Sequence, residues 1–400
     1  MENGISQIVS NINPSATIEI STKAIQMKRE GIDVISFAAG EPDFGTPPEI
    51  KNEAKLALDE EFTKYTEVAG IIELRKAIVK KLRRDNNLEY SIDEIIVTNG
   101  AKQALYNAFA TLLNPNDEIL IPSPAYVSFI EQVKLLGAKA VLVPTQEEDS
   151  YRLPAKRLEN FINDRTKAIL INSPNNPTGV VYKKEDLVEI GKLAIENDLW
   201  IITDEVYEKI CYEKNRHVSI ASLDKRFKER CITINGVSKT YSMTGWRVGF
   251  AAGPKHVIKA MISFQGHVTG NVNSIAQKAA TYALGSVISE TEKMVLEYEN
   301  RRTKVIEVLN GIKNISFFSP EGAFYIFINI KRLLGLKANG KIIKTDLDLA
   351  TYILQESHVA LVPGTAFYYP GYLRISFALE EKLLVEGLYR IKRAIEEIEN

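Results

Sequence analysis

The sequence predicts an α/β protein, with a mostly parallel sheet covered by helices on both faces and a smaller α+β region after it. Three observations carry this expectation. From Ile95 onward, short apolar runs alternate with segments of helical periodicity, the pattern of buried parallel strands joined by crossover helices. Residues able to do chemistry stand just past several of these runs, where open α/β sheets place ligand sites. Beyond a long charged helical stretch at 286–309 the pattern changes to sparser strands and helices, as in an α+β unit.

Taken in order, Pro14 and its neighbouring hydroxyls read as a helix start before an amphipathic segment at 18–29. A strand at 33–37 runs into a loop punctuated by Gly40 and Pro42. Helices are expected at 47–58, 72–83, 101–113, 127–136 and 185–197. Strands are expected at 95–97, 118–121, 140–143, 168–172, 199–203, 231–234 and 248–252. The later region adds strands at 317–318, 323–330, 359–361 and 373–377, and helices at 347–356 and 381–398. The expected division is a large domain at 48–285 and a small one made of 1–47 with 286–400.

Composition narrows the function classes. The 400 residues are 45% hydrophobic and 25% charged, the balance of a soluble protein with a large core. A net charge of −1 gives no electrostatic reason to expect nucleic acid or an anionic membrane as partner. Cys211 and Cys231 make neither a disulfide framework nor a metal motif, and read as core residues of a reduced, intracellular protein. His217, His256, His267 and His358 lack ligand spacing, so no metal is expected. With no signal-like N-terminus and no apolar run of membrane-spanning length, the expected location is the cytoplasm. The stretch from Gly335 to Lys341 fits G-x-x-x-x-G-K, but Ile342 stands where a nucleotide loop needs Ser or Thr. It reads as a solvated loop.

Lys239 is the residue around which the chemistry gathers. The run at 231–234 ends in Asn235-Gly236, a turn signal, which puts Ser238 and Lys239 just past a strand end. Among Tyr241, Met243 and Trp246, burial favours the neutral amine, a nucleophile toward aldehydes. Arg247 is a fixed cation suited to a phosphate. Amine and phosphate clamp together suggest pyridoxal 5′-phosphate (PLP), a phosphorylated aldehyde. A lone pair of this kind reads first as a surface lysine and a salt-bridge partner, and the upstream residues shift that reading.

Asp204 is delivered by an apolar strand to its carboxyl end. It can bind a metal, cap a helix or pair with a cation; no ligand cluster accompanies it, and a pyridinium nitrogen is a good partner. Tyr207 and Asn176 can donate to the ring's phenolate oxygen, although Asn176 alone also reads as a turn residue among Pro174, Pro177 and Gly179. Backbone N–H groups at Gly100, Ala101 and Lys102 form an anion site at a helix start. Tyr126 can stack on a planar cofactor or fill core. Arg374, in an alternating apolar strand, needs an anion, either a bound carboxylate or an internal acid.

Together these residues resemble the PLP-dependent aminotransferases of fold type I, class I, and especially the prokaryotic aspartate aminotransferases. The resemblance runs through Pro14-Ser-Ala-Thr17, Ala39-Gly-Glu-Pro-Asp43, Ser173-Pro-Asn-Asn-Pro-Thr-Gly179, Asp204-Glu-Val-Tyr207, Ser238-Lys-Thr-Tyr-Ser-Met-Thr-Gly-Trp-Arg247 and Arg374-Ile-Ser376, in family order. It implies the PLP-transferase type I fold, with a seven-stranded-type sheet in the large domain. Lys239 is then the Schiff-base lysine, Asp204 the pyridinium partner, and Asn176 and Tyr207 the phenolate partners. Arg247, Ser238, Gly100, Ala101 and Lys102 hold the phosphate. Tyr126 takes the stacking position, often Trp in aspartate enzymes. Arg374, with Asn176 and the backbone of Gly40, holds the substrate α-carboxylate. Tyr65 reaches the phosphate of a neighbouring subunit, which implies a homodimer. Gly236 departs from relatives that place a phosphate-binding Ser there. Lys102 and the N-terminal segment carrying Ser15 and Thr17 face the distal end of the substrate.

The implied reaction is ping-pong transfer of an amino group from L-aspartate to 2-oxoglutarate, alternating the pyridoxal and pyridoxamine forms. Within PLP chemistry the alternatives are an aromatic or alanine-type aminotransferase, or a β-lyase; the stretches 121–126 and 212–223 resemble those of aromatic-type relatives. A PLP-binding regulator is a different class, disfavoured by the absence of a basic patch or a spare N-terminal domain.

Overall fold

The structure, a computed structural model, describes residues 4, 6–10, 12 and 16–398; the side chains of 7, 16–19 and 21 stand outside that description. Its centre is a seven-stranded sheet in the order Ile95–Thr98, Gly249–Ala252, Cys231–Gly236, Trp200–Asp204, Thr166–Asn172, Glu118–Ser123, Lys139–Pro144. Gly249–Ala252 runs antiparallel to both its neighbours and the other pairings are parallel.

Side chains alternate across this sheet because strand residues point to opposite faces. Ile169, Ile171 and Ile201 enter one core with the helices Ile72–Asn86 and Ser274–Gly285. Ala168, Leu170 and Ile202 enter the other with the helix Ala101–Leu112. Both faces are therefore dry, which is why these strands read as continuous apolar runs.

A second, antiparallel sheet has the order Val362–Pro363, Tyr372–Ser376, Tyr325–Asn329, Ser316–Phe317. The short strand Ile35–Ser36 pairs in parallel with Val359–Ala360, so the N-terminal segment is held by the C-terminal part of the chain. A separate core forms around this sheet and the helices Ser289–Asn310 and Glu381–Glu396. It also takes in Val206, Tyr207, Ile210 and Tyr212, which come from just beyond the large sheet.

Two expectations need correcting, and two helices lie where none was expected. Asn235-Gly236 is not a turn, because the strand continues through Gly236, which pairs with Gly249. A side chain there would meet the carbonyl of Val248 at 3.0 Å, so the glycine serves a close backbone approach. The G-x-x-x-x-G-K stretch is not a plain loop, since Lys337–Ala338 and Lys341–Ile342 form a small hairpin. The short helix Lys331–Leu333, not a strand, precedes its first glycine, which agrees with rejecting a nucleotide loop. Finally, helices Lys255–Val268 and Ser274–Gly285 went unread. The second is buried through Ala276, Ala279, Ala280 and Ala283, whose small side chains leave little hydrophobic contrast.

Candidate active site

A cleft of about 680 Å³ opens at the carboxyl ends of the parallel strands. Gly40, Ala101, Lys102, Tyr126, Asn176, Asp204, Tyr207, Ser238, Lys239, Arg247 and Arg374 line it. Residues far apart in the chain meet there because adjacent parallel strands deliver Asn172 and Asp204 side by side in register. Gly100 lies directly behind Arg247. Tyr65 is not brought in; it is 97% exposed, on the loop between helices Pro48–Asp59 and Ile72–Asn86. The side chain of Thr17 lies outside the described residues.

The Lys239 ammonium donates to the carbonyl oxygen of Gly40 and stands 5.6 Å from the ring centre of Tyr207 and 5.8 Å from that of Phe324. Burial pulls its pKa down to about 8, against the pull of Glu41, with Arg374 and Arg247 also lowering it. Its expected neighbours are elsewhere. Tyr241 and Met243 are in the core, and the Trp246 indole donates to Thr46 Oγ1 at 3.0 Å.

Asp204 is 6% exposed, and burial pushes its carboxyl up to about 7 despite a hydrogen bond from the Val206 N–H and the nearby Lys239. Among the described residues no cation forms an ion pair with it. A buried carboxyl without an ion pair has room for a cationic partner.

Arg374 is 2% exposed. It donates from Nη1 to Asn176 Oδ1 at 3.1 Å and from Nη2 to the Ala38 carbonyl at 2.8 Å, and its guanidinium lies 4.4 Å from the Tyr325 ring centre. Its Nε has no partner, and no carboxylate of the described residues pairs with it. The internal salt bridge left open by the sequence is therefore not made, and the fork remains available to a bound anion.

At the opposite corner Gly100, with φ +78°, caps the helix Ala101–Leu112. Its N–H turns back to the Thr98 carbonyl at 2.8 Å, so it is not part of the expected trio of free donors. The first-turn N–H groups of Ala101 and Lys102 have no acceptor within their helix. A Cβ on Gly100 would collide with the Arg247 guanidinium, and one on Gly249 with the Ala101 nitrogen. Both glycines keep this cradle open. Arg247 is aimed by hydrogen bonds to the carbonyls of Thr244 at 3.0 Å and Asn99 at 3.3 Å. Lys102 reaches over Tyr126, with Nζ 5.6 Å from its ring centre.

Sequence reasoning missed several members of the cleft, and two of them bear on its chemistry. Tyr325, whose hydroxyl is 2.8 Å from that of Tyr207, falls within the expected strand 323–330, where nothing local marks it out. Glu41, which accepts from Thr244 Oγ1 at 2.7 Å, lay within the quoted Ala39–Asp43 motif but was given no role. Burial and Tyr325 together hold the Tyr207 phenol well above its ordinary pKa, so it remains a donor.

The model of the family "Aminotransferase class I and II" matches residues 32–391. An aspartate aminotransferase of Bacillus subtilis is 44% identical, over 97% of this chain and 98% of its own. A probable aspartate/prephenate aminotransferase of Aquifex aeolicus is 42% identical over 100% of both. The crystal structure of the aspartate aminotransferase from Rhizobium meliloti superposes with a TM-score of 0.95 at 41% identity, covering 98% of this chain and 99% of that one. Fold and sequence agree along nearly the whole length, and the chain belongs to the class I and II aminotransferases.

Proposed function

We propose that this enzyme uses PLP to move the amino group of L-aspartate to 2-oxoglutarate, and that it works as a homodimer in the cytoplasm. The observation that carries the reading is the buried Arg374 fork, with an uncommitted Nε and no carboxylate partner, in the same cleft as Lys239. The residues present fit the cofactor. Arg247 and the N–H groups of Ala101 and Lys102, with Ser238, would hold a phosphate; Asp204 would meet a ring nitrogen, Asn176 and Tyr207 a phenolate oxygen, and Tyr126 would stack on the ring. When bound, PLP supplies an aldehyde for the substrate amine and a ring that accepts electrons from Cα.

The protein's own groups do the rest. Arg374, with Asn176, binds the α-carboxylate and so fixes the direction of the Cα–H bond. Lys239 Nζ takes that proton from Cα and would deliver it to the cofactor carbon that carried the aldehyde, and its lowered pKa gives it a neutral fraction near physiological pH. Asp204 stabilises a proton at the ring nitrogen. Lys102 meets the distal carboxylate, and the segment carrying Thr17 closes over that end.

The aspartate-named relatives support the substrate. The exposed Tyr65 ring supports a shared site in a dimer, where it would reach the other subunit's phosphate. Two free cysteines suit a reducing compartment, and no described helix is long and apolar enough to cross a membrane. The division into a large domain at 48–285 and a small one of 1–47 with 286–400 is supported by the two sheets and by the pairing of Ile35–Ser36 with Val359–Ala360.

A donor panel with 2-oxoglutarate tests this. Aspartate should exceed tyrosine and alanine in kcat/KM by roughly 10-fold or more, the scale of one charge-assisted contact. Equal or better turnover of tyrosine would move the assignment to the aromatic class. The aspartate/prephenate relatives favour a second reading, in which prephenate is also accepted; assaying it with aspartate as donor decides that.

A further inference from the structure

The run Asp204-Glu205-Val206-Tyr207-Glu208 leaves the large sheet and divides its polar groups between two sides. Asp204 and Tyr207 line the cleft. Glu205 and Glu208 do not; both are buried, Glu208 against the Lys81 ammonium and Glu205 beside the His217 ring. Glu205 accepts from Thr203 Oγ1 at 2.9 Å and Ser219 Oγ at 2.7 Å, and its Oε2 lies 3.0 Å from His217 Nε2. Glu208 is ion-paired with Lys81, itself only 2% exposed, and accepts from Asn86 Nδ2 at 2.6 Å. Lys81 closes the triangle by donating to Asn86 Oδ1 at 2.7 Å.

Lys81 and Asn86 belong to the helix Ile72–Asn86, which packs on the large sheet. Val206 and Tyr207 pack in the other core. The run is thus gripped from opposite sides, by the Lys81–Glu208 ion pair with the hydrogen bonds to Glu205 on one and by apolar contacts on the other. Glu205, Glu208 and His217 each offer one ligand atom within 4.8 Å of the others, a spacing that suits a metal. The Lys81 ammonium already neutralises Glu208, so a divalent cation would have to displace a buried charge, and the anchor reading is preferred.

A buried ion pair rarely outperforms well-packed apolar residues in net stability, because desolvation offsets the Coulomb attraction. What it adds is a single preferred geometry. We propose that the Lys81–Glu208 pair, with Glu205–His217 beside it, is a positioning device that sets Asp204 and Tyr207 against the cofactor ring. This rests on the PLP reading above.

The test uses the full chain loaded with PLP, comparing the parent with a Lys81→Met/Glu208→Leu double variant. Three quantities are read: the Tm of the cofactor-free chain, the Kd for PLP, and the visible circular dichroism of the bound cofactor, which reports ring orientation. Apolar replacement also takes both partners from buried Asn86, so Tm should fall; the positioning role is read from PLP binding weakened by roughly 10-fold together with a changed dichroic band, the scale seen when outer-shell partners of metal ligands are removed. A double variant with the parent's Kd and dichroism overturns the proposal. Should the double variant fail to fold, Glu208→Gln, which keeps the shape and the Asn86 contact, decides it: a changed dichroic band supports positioning, an unchanged band and Kd refute it. A parent that does not bind PLP overturns the cofactor reading and this one together, whereas a parent that binds and variants that match it overturn this one alone.

Discussion

At the residue scale, the groups that equip this cleft for chemistry work against the stability of the empty fold. Asp204 has a folded-state pKa near 7, above its ordinary 3.8, because it is buried without a paired cation. Between those values the folded chain retains a proton that the unfolded chain has lost, so this group lowers stability as pH rises through the window, with the full cost present above it. Asp204→Asn should therefore stabilise the cofactor-free protein at pH 8 by on the order of 2–4 kcal/mol, the gap closing toward pH 4, while weakening PLP binding. Denaturant unfolding at the two pH values checks this; a gap that does not depend on pH would contradict it. Lys102 carries the substrate argument. Lys102→Ala should reduce kcat/KM for aspartate far more than for tyrosine, and an unchanged ratio would remove the distal-carboxylate role. Lys239, Asp204, Asn176 and Arg374 were legible in the sequence only as a set, since each alone also has a structural use, and the structure brings all four to one cleft. Tyr325 was not, because its strand belongs to the second sheet and only the packing of that sheet against the first brings its hydroxyl to Tyr207.

At the scale of elements, the anion cradle depends on what is missing. Gly249 lies against the start of the helix Ala101–Leu112, and a methyl group there would meet backbone atoms, which cannot rotate away. Gly249→Ala should weaken PLP affinity by about 10-fold or more, as expected when a phosphate loses a backbone donor. Gly45→Ala, at a position with open space around it, should leave affinity unchanged. Fluorescence titration of the two variants with PLP separates this from a general glycine effect, and equal affinities would contradict the cradle. The sheet itself was readable from two-faced burial of its strands. The turn assigned at Asn235-Gly236 was not correct, since a glycine chosen for close strand approach and one chosen for a turn look alike in sequence.

At the scale of the whole molecule, the cleft draws on both cores, with Arg374 and Tyr325 from the second sheet facing Asp204 and Lys239 from the first. The N-terminal pairing of Ile35–Ser36 with Val359–Ala360 was expected only as a general closure, because strand partners so distant in sequence leave no local signal. The dimer is tested by light scattering, which should give twice the 44.8 kDa chain mass. Tyr65→Phe should weaken PLP binding without altering that mass; a monomer with full PLP affinity would rule out the shared site. The central claim is that one cleft binds PLP at Lys239 and accepts the amino group of aspartate there. Its most direct measurement is the visible spectrum of the PLP-loaded protein on addition of L-aspartate without any acceptor. The band of the PLP form should convert to that of the amine form, return on addition of 2-oxoglutarate, and show neither change in Lys239→Ala. A protein that PLP cannot colour, or whose spectrum aspartate leaves unchanged, would contradict it.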